Sequence, residues 1–265
     1  MVDLELTPVE RGHIRTDVNH IIEGYRMGSA SEPNPETPMD EGPVYNLVIE
    51  HPEATILWDT GSHPEAGEGH WPDPLYDAFE HYDADEHPLD VALERVGYSI
   101  EEIDAVIQSH LHLDHAGGLH EFAGTDVPIY VHEEELKFAY YSAKSDAGST
   151  AYVAADFDHD LNWRVVHRDR ETPFKGIELR RLPGHTPGLL GTDLDADDGR
   201  VLVIGDQAYM RANYDEERPL GAGLLWSRRD WYESLRTAKE IERREGATVI
   251  CGHDPEDLAR LEELS

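Results

Sequence analysis

One segment constrains this chain more than any other: His110-Leu111-His112-Leu113-Asp114-His115, one residue beyond the short strand-like run Ala105–Gln108. In a chain of this length and composition the H-x-H-x-D-H pattern is expected by chance roughly 0.006 times. Neutral imidazoles and carboxylates are the nitrogen and oxygen ligands that zinc takes, at about 2.0–2.2 Å. On a tight loop leaving a strand, the spacing lets alternate residues face different ions, His110 and His112 one ion and Asp114 and His115 a second. Four residues do not complete two coordination shells, so further ligands are expected at other strand ends. His185 lies in Pro183-Gly184-His185-Thr186-Pro187-Gly188, Asp206 follows Val201–Ile204 and Gly205, and His253 follows Thr248–Cys251 and Gly252. Singly, a polar residue after a strand and a glycine is ordinarily a turn residue. Three recurrences beside one histidine-rich loop make them candidate ligands.

The remaining pattern is that of an α/β chain without internal repeats. Strands are expected at Val2–Leu6, Val44–Glu50, Ala54–Asp59, Ala105–Gln108, Ile129–His132, Trp163–His167, Ile177–Leu182, Leu189–Asp193, Val201–Ile204 and Thr248–Cys251. Helices are expected at Leu89–Tyr98, Glu133–Tyr141 and Glu256–Leu264. A longer one is capped by Ser227 and Asp230, apolar at Trp231, Leu235, Ala238 and Ile241, and ended by Gly246. The stretches Gly28–Pro43 and Ser62–His87 read as loops, and Lys144–Asp160 has no clear pattern. With no convincing linker, residues 1–265 are expected to form a single domain.

The chain resembles the metallo-β-lactamase superfamily. The resemblance rests on Asp59-Thr60-Gly61, the H-x-H-x-D-H loop, and His185, Asp206 and His253 in that order. Within the superfamily it most resembles the N-acyl homoserine lactonases, through Ser109–Gly118, Pro183–Gly188, Asp206-Gln207-Ala208-Tyr209 and Gly252-His253-Asp254. That likeness implies a four-layer αβ/βα sandwich with two Zn2+ on its edge. His110, His112 and His185 would hold one zinc, Asp114, His115 and His253 the other, and Asp206 would bridge them. It implies ring opening of a small-molecule lactone by attack of a metal-activated hydroxide, with Asp114 and Tyr209 in the reaction and Tyr209 donating to the substrate oxygen. Asp59 is expected either to orient a ligand imidazole or to make a simple Asx turn. Two departures bear on substrate packing: Leu113 stands where these lactonases often carry Phe, and Leu189 where many carry a second His. Related enzymes suggest that Gly28–Pro43 and Ser62–His87 shape the pocket or a homodimer contact.

Other hydrolases share such a site. A thioester hydrolase of the glyoxalase II type is the first alternative, although the twelve residues after His253 are too few for the helical substrate domain expected there. A phosphodiesterase or nuclease is a second alternative, and no basic arm supports it. A redox or oxygen-handling centre is a third; that branch typically replaces a motif histidine by a carboxylate, and His112 is histidine.

Composition describes the surroundings rather than the chemistry. The chain carries 56 Asp and Glu against 22 Lys and Arg, a formal charge of −34, with only Lys137, Lys144, Lys175 and Lys239 as lysines. That excludes a module that reads phosphates through a basic surface. It points to adaptation to high salt, where the Debye length shrinks to about 3 Å at ~1 M and self-repulsion is screened. The single cysteine, Cys251, removes any intrachain disulfide framework and is expected to be a buried small apolar residue. With no apolar leader in Met1–Gly12 and no long apolar run, a cytoplasmic, membrane-free protein acting without nucleic acid is expected. The thermal midpoint should rise steadily between ~0.1 M and ~1 M KCl; a midpoint insensitive to salt would remove the halophilic reading.

Overall fold

The computed structural model describes residues 2–145, 147–197 and 199–264. The first half of the chain supplies β1 (Glu5–Asp17), β2 (Met39–His51), β3 (Ala54–Trp58), β4 (Phe79–His81), β5 (Ala105–Ile107), β6 (Ile129–His132) and β7 (Trp163–Val166). These form one sheet in the order β4-β1-β2-β3-β5-β6-β7, antiparallel through β2/β3 and parallel from β3 to β7. The second half supplies β8 (Arg170–Phe174), β9 (Ile177–Arg181), β10 (Leu190–Ala196), β11 (Gly199–Gly205) and β12 (Thr248–Cys251). They form a second sheet in the order β12-β11-β10-β9-β8.

The two sheets pack face to face, and strand periodicity explains how. Leu47, Ile49, Ile56, Trp58 and Ile107 of the first sheet meet Leu179, Leu190, Leu194, Val203 and Ile250 of the second in one core. Their alternate neighbours turn outward. Val48, Leu57 and Val106 lie under helices on the outer face of the first sheet, while Leu202, Ile204, Val249 and Cys251 lie under a helix on the second. Strands buried on both faces read as unbroken apolar runs, which is why Val201–Ile204 and Thr248–Cys251 show no alternation. The helices in chain order are α1 (Val18–Ile21), α2 (Asp73–Ala78), α3 (Leu89–Arg95), α4 (Leu113–Ala116), α5 (Glu133–Ala143), α6 (Ala154–Phe157), α7 (Arg211–Asp215), α8 (Arg228–Glu245) and α9 (Pro255–Leu264). Helix α3 and the buried face of α5 cover the first sheet, and α8 covers the second. The result is the four-layer αβ/βα sandwich.

Helix α8 forms where its caps place it. Ser227 accepts a hydrogen bond from Asp230 N, and Gly246 closes the helix at φ 69, a left-handed position that glycine adopts without strain. Trp231, Leu235, Ala238 and Ile241 make up its buried face. Cys251 is wholly buried among them.

Several expected boundaries move. The first strand begins at Glu5 and runs to Asp17, because long antiparallel pairing with β2 carries a polar sequence that propensity alone reads as loop. For the same reason β2 starts at Met39, so Met39–Pro43 is strand and only the part before it is loop. The Ser62–His87 segment holds α2 and β4. Helix α3 stops at Arg95, and Gly97 follows at φ 92. Helix α6 lies in the stretch that showed no pattern, and β8 was not anticipated at all: its residues alternate between exposed and half-buried at the sheet's outer edge. Among the described residues no helix is long and apolar enough to cross a membrane.

Candidate metal centre

Every residue singled out as a ligand stands at the carboxyl end of a strand on one edge of the sandwich. The H-x-H-x-D-H loop follows β5 and winds into α4, His185 follows β9, Asp206 follows β11 and His253 follows β12. The structure brings them together as two groups, His110–His112–His185 and Asp114–His115–Asp206–His253, all buried, either of which could hold a metal ion.

Within the first group, His185 Nε2 lies 3.2 Å from His110 Nε2 and 2.8 Å from His112 Nδ1. Within the second, His115 Nε2 and His253 Nε2 each lie 3.3 Å from Asp206 Oδ1, and 3.7 and 3.5 Å from Asp114 Oδ2. The other oxygen of Asp206 turns to the first group, 3.4 Å from His185 Nε2 and 3.7 Å from His110 Nε2. One carboxylate thus stands between the two groups.

The far side of each ring decides which nitrogen carries the lone pair. His185 Nδ1 donates to Leu224 O at 2.6 Å and His253 Nδ1 to Pro43 O at 3.0 Å. His115 Nδ1 donates to Asp59 Oδ2 at 2.8 Å. Ser109 Oγ donates to the same oxygen at 2.6 Å and lies 3.0 Å from His110 Nδ1, so it accepts from that ring. The Nε2 atoms of His110, His115, His185 and His253 are therefore aimed inward. Buried nitrogens and oxygens ordinarily have partners. His115 Nε2, His253 Nε2 and both oxygens of Asp206 are buried without a hydrogen bond. A donor set of neutral imidazole nitrogens and carboxylate oxygens, unsatisfied and converging, fits divalent zinc.

Charge follows the same division. Burial holds His110, His112 and His185 below the ordinary imidazole range, which keeps them neutral and their lone pairs free. Burial also opposes charge on His115 and His253, but Asp206 and Asp114 outweigh it and raise both. Asp206 is held well below the carboxylate range: burial works against its charge, and His115 and His253 overcome it. The second group combines two carboxylates with two imidazoles, and the first is imidazole alone.

Asp59 takes the orienting role. It sits at φ 55, an uncommon backbone position for a non-glycine residue, and accepts from Ser109 N, Ser109 Oγ and His115 Nδ1. Tyr209 is buried with its ring 4.6 Å from that of His253 and 5.7 Å from that of His185. Burial, then Asp206 and Asp114, push its phenol well above the usual range, so it remains a donor. Leu113 lies beside Asp114 in a small apolar recess with Ile14, Leu75, Phe79 and Tyr209. Leu189 is wholly buried.

Two grooves reach this edge. One of about 390 Å³ is lined by His112, His185, Phe138, Leu224 and Trp226. A wider one of about 730 Å³ is lined by Leu75, Phe79, Ala143, Tyr152 and Leu224. Pro72, Leu75 and Phe79 come from the Ser62–His87 segment, which is therefore a groove wall.

Three supporting residues escaped the sequence reading. Arg11 is buried, lowered to about 9 by burial, and donates to Asn46 Oδ1, Thr60 O, Ser62 O and His87 O, tying β1 to the loop after β3. Tyr152 packs its ring 4.6 Å from that of His112. Glu135 is fully buried behind the first group. None has a local signature, since an arginine in a polar strand and a glutamate in an acidic helix start both read as surface.

A model of the metallo-beta-lactamase superfamily matches residues 39–253. The chain belongs to that superfamily. It is similar to N-acyl homoserine lactonase AiiB of Agrobacterium fabrum (strain C58 / ATCC 33970), with 30% identity over 97% of this chain and 96% of the relative. It is 31% identical, over the same shares, to the AiiB of Rhizobium rhizogenes (strain K84 / ATCC BAA-868). Its fold is like that of an N-acyl homoserine lactone hydrolase solved with the product N-hexanoyl-L-homoserine at its catalytic metal center, with a TM-score of 0.82 at 24% identity over 98% of this chain and 96% of that one.

Replacing Asp59 by Asn should weaken the affinity of the Asp114–His115–Asp206–His253 group for an added divalent ion roughly 10- to 100-fold, because an amide nitrogen would face the donors of Ser109 and His115. Chelator competition measures this, and unchanged retention would leave Asp59 a turn residue.

Proposed function

We propose that this protein is a dinuclear zinc lactonase that hydrolyses N-acyl homoserine lactones or related lactones to the open hydroxy acids. The observation that carries this reading is Asp206, whose two oxygens face two separate clusters of inward-aimed imidazole nitrogens. His110, His112 and His185 would hold one ion, Asp114, His115 and His253 the other, with Asp206 between them. Bound there, two zinc ions supply an activated water and polarise a carbonyl oxygen.

The chain's own residues do the rest. Asp59, Ser109, Leu224 and Pro43 fix the tautomers of His115, His110, His185 and His253. The protonated phenol of Tyr209 donates to the lactone oxygen on which charge develops. Hydrolysis forms one acyl C–O bond to water and breaks the ring C–O bond, and the departing ring oxygen takes a proton. Asp114 borders both the second cluster and the apolar recess, and it is assigned to that proton transfer. Leu75, Phe79 and Leu224 give the grooves apolar walls suited to an acyl chain. The similarity to lactonases over nearly the whole chain supports the same choice. The site lies in one cytoplasmic catalytic domain in this reading.

Proton release at high salt from a panel of lactones, thioesters and phosphodiesters tests the proposal. N-acyl homoserine lactones should give the highest kcat/KM, and a preference for any thioester over every lactone would overturn it. Tyr209→Phe should lower kcat about 10-fold or more with zinc content intact; an unchanged kcat would leave Tyr209 a packing residue.

A further inference from the structure

Helix α5 opens with three consecutive glutamates that separate in the fold. Glu133 and Glu134 pair with Lys137 at the surface, and Glu133 also meets His167. Glu135 turns inward and is wholly buried. An ionised carboxylate in such a place is strongly unfavourable unless it is fully hydrogen-bonded. Glu135 meets that requirement with donors alone: Oε1 accepts from Leu111 N at 3.0 Å and from Tyr152 Oη at 2.8 Å, and Oε2 accepts from Thr186 Oγ1 at 2.6 Å. The backbone N–H of Gly188 also lies close enough to act on this carboxylate. Two carboxylate oxygens offer about four acceptor positions, and these three hydrogen bonds fill most of them.

Each donor belongs to a segment that holds one group of imidazoles. Leu111 is the residue between His110 and His112. Thr186 adjoins His185, and Gly188 closes the same turn. Tyr152 packs against the ring of His112. The fit is tight: a Cβ on Gly188 would lie 2.2 Å from Glu135 N, a distance that only glycine avoids. The second group is anchored elsewhere, His115 on Asp59 and His253 on Pro43 O.

We infer that Glu135 is a positioning residue that binds the His110–His112 loop and the His185 turn into one unit, and so sets the affinity of that group for its metal ion. The inference rests on the two-metal reading of the site. The three nitrogens converge at 2.8–3.2 Å, and an anchor behind them holds the loops in place so that an ion meets a preformed set. Glu135→Gln keeps the shape but turns an amide nitrogen toward a donor, which breaks at least one of the three bonds.

Zinc is the probe. Wild-type protein dialysed against a graded chelator series should retain two ions, and Glu135→Gln should lose one of them at roughly 10- to 100-fold lower chelator strength. The site is identified by background. In His253→Ala the added Glu135→Gln change should weaken the remaining ion, whereas in His185→Ala it should change nothing further. Tyr152→Phe and Thr186→Val should weaken the same ion by smaller factors, and they decide the matter if Glu135→Gln does not fold. Equal loss of both ions, or unchanged retention in Glu135→Gln or in both milder variants, would overturn the inference. Fewer than two ions in wild type would instead overturn the two-metal reading.

Discussion

Asp206 is the constraint on which the rest of the structure depends. It is fully buried at the end of β11, and its oxygens have imidazole nitrogens rather than hydrogen-bond donors as neighbours. Charge in such a place survives only when it is matched by positive charge close by. The two sheets supply the surroundings: β5 delivers one ligand loop, β9 and β12 deliver the other histidines, and all end on the same edge. Both halves of the sandwich must be packed before these groups can meet.

The supporting residues show how such a site is kept from collapsing. Four of the five rings, those of His110, His115, His185 and His253, have an acceptor on the outer side. Asp59 serves His115 directly and His110 through Ser109. Arg11 steadies the loop after β3 through the carbonyls of Thr60 and Ser62, without a carboxylate partner at hydrogen-bond distance among its contacts. Rigid strands and a hydrogen-bonded shell of this kind hold a site more firmly than mobile loops would.

The residues of the two clusters were legible because their chemistry is local: histidine and aspartate at strand ends, in a pattern too dense for chance. Strand cores were legible for a similar reason, since Val201–Ile204 and Thr248–Cys251 are apolar throughout. What escaped depends on distant partners. The polar half of β1 is a strand only because β2 lies beside it, and β8 is an edge strand with little apolar patterning of its own. Glu135 differs from Glu133 and Glu134 only in the direction in which α5 faces the sheet. Asp59 was readable as either a turn residue or a partner of histidine, and its contacts choose the latter.

The groove walls have a consequence of their own. Leu75 and Phe79 come from a segment that contributes nothing to the seven inward-facing side chains, so that wall can diversify while the reactive centre is inherited intact. Leu224 is different. Its side chain borders both grooves while its carbonyl accepts from His185. A change in backbone there would reach the groove wall and the orientation of His185 together.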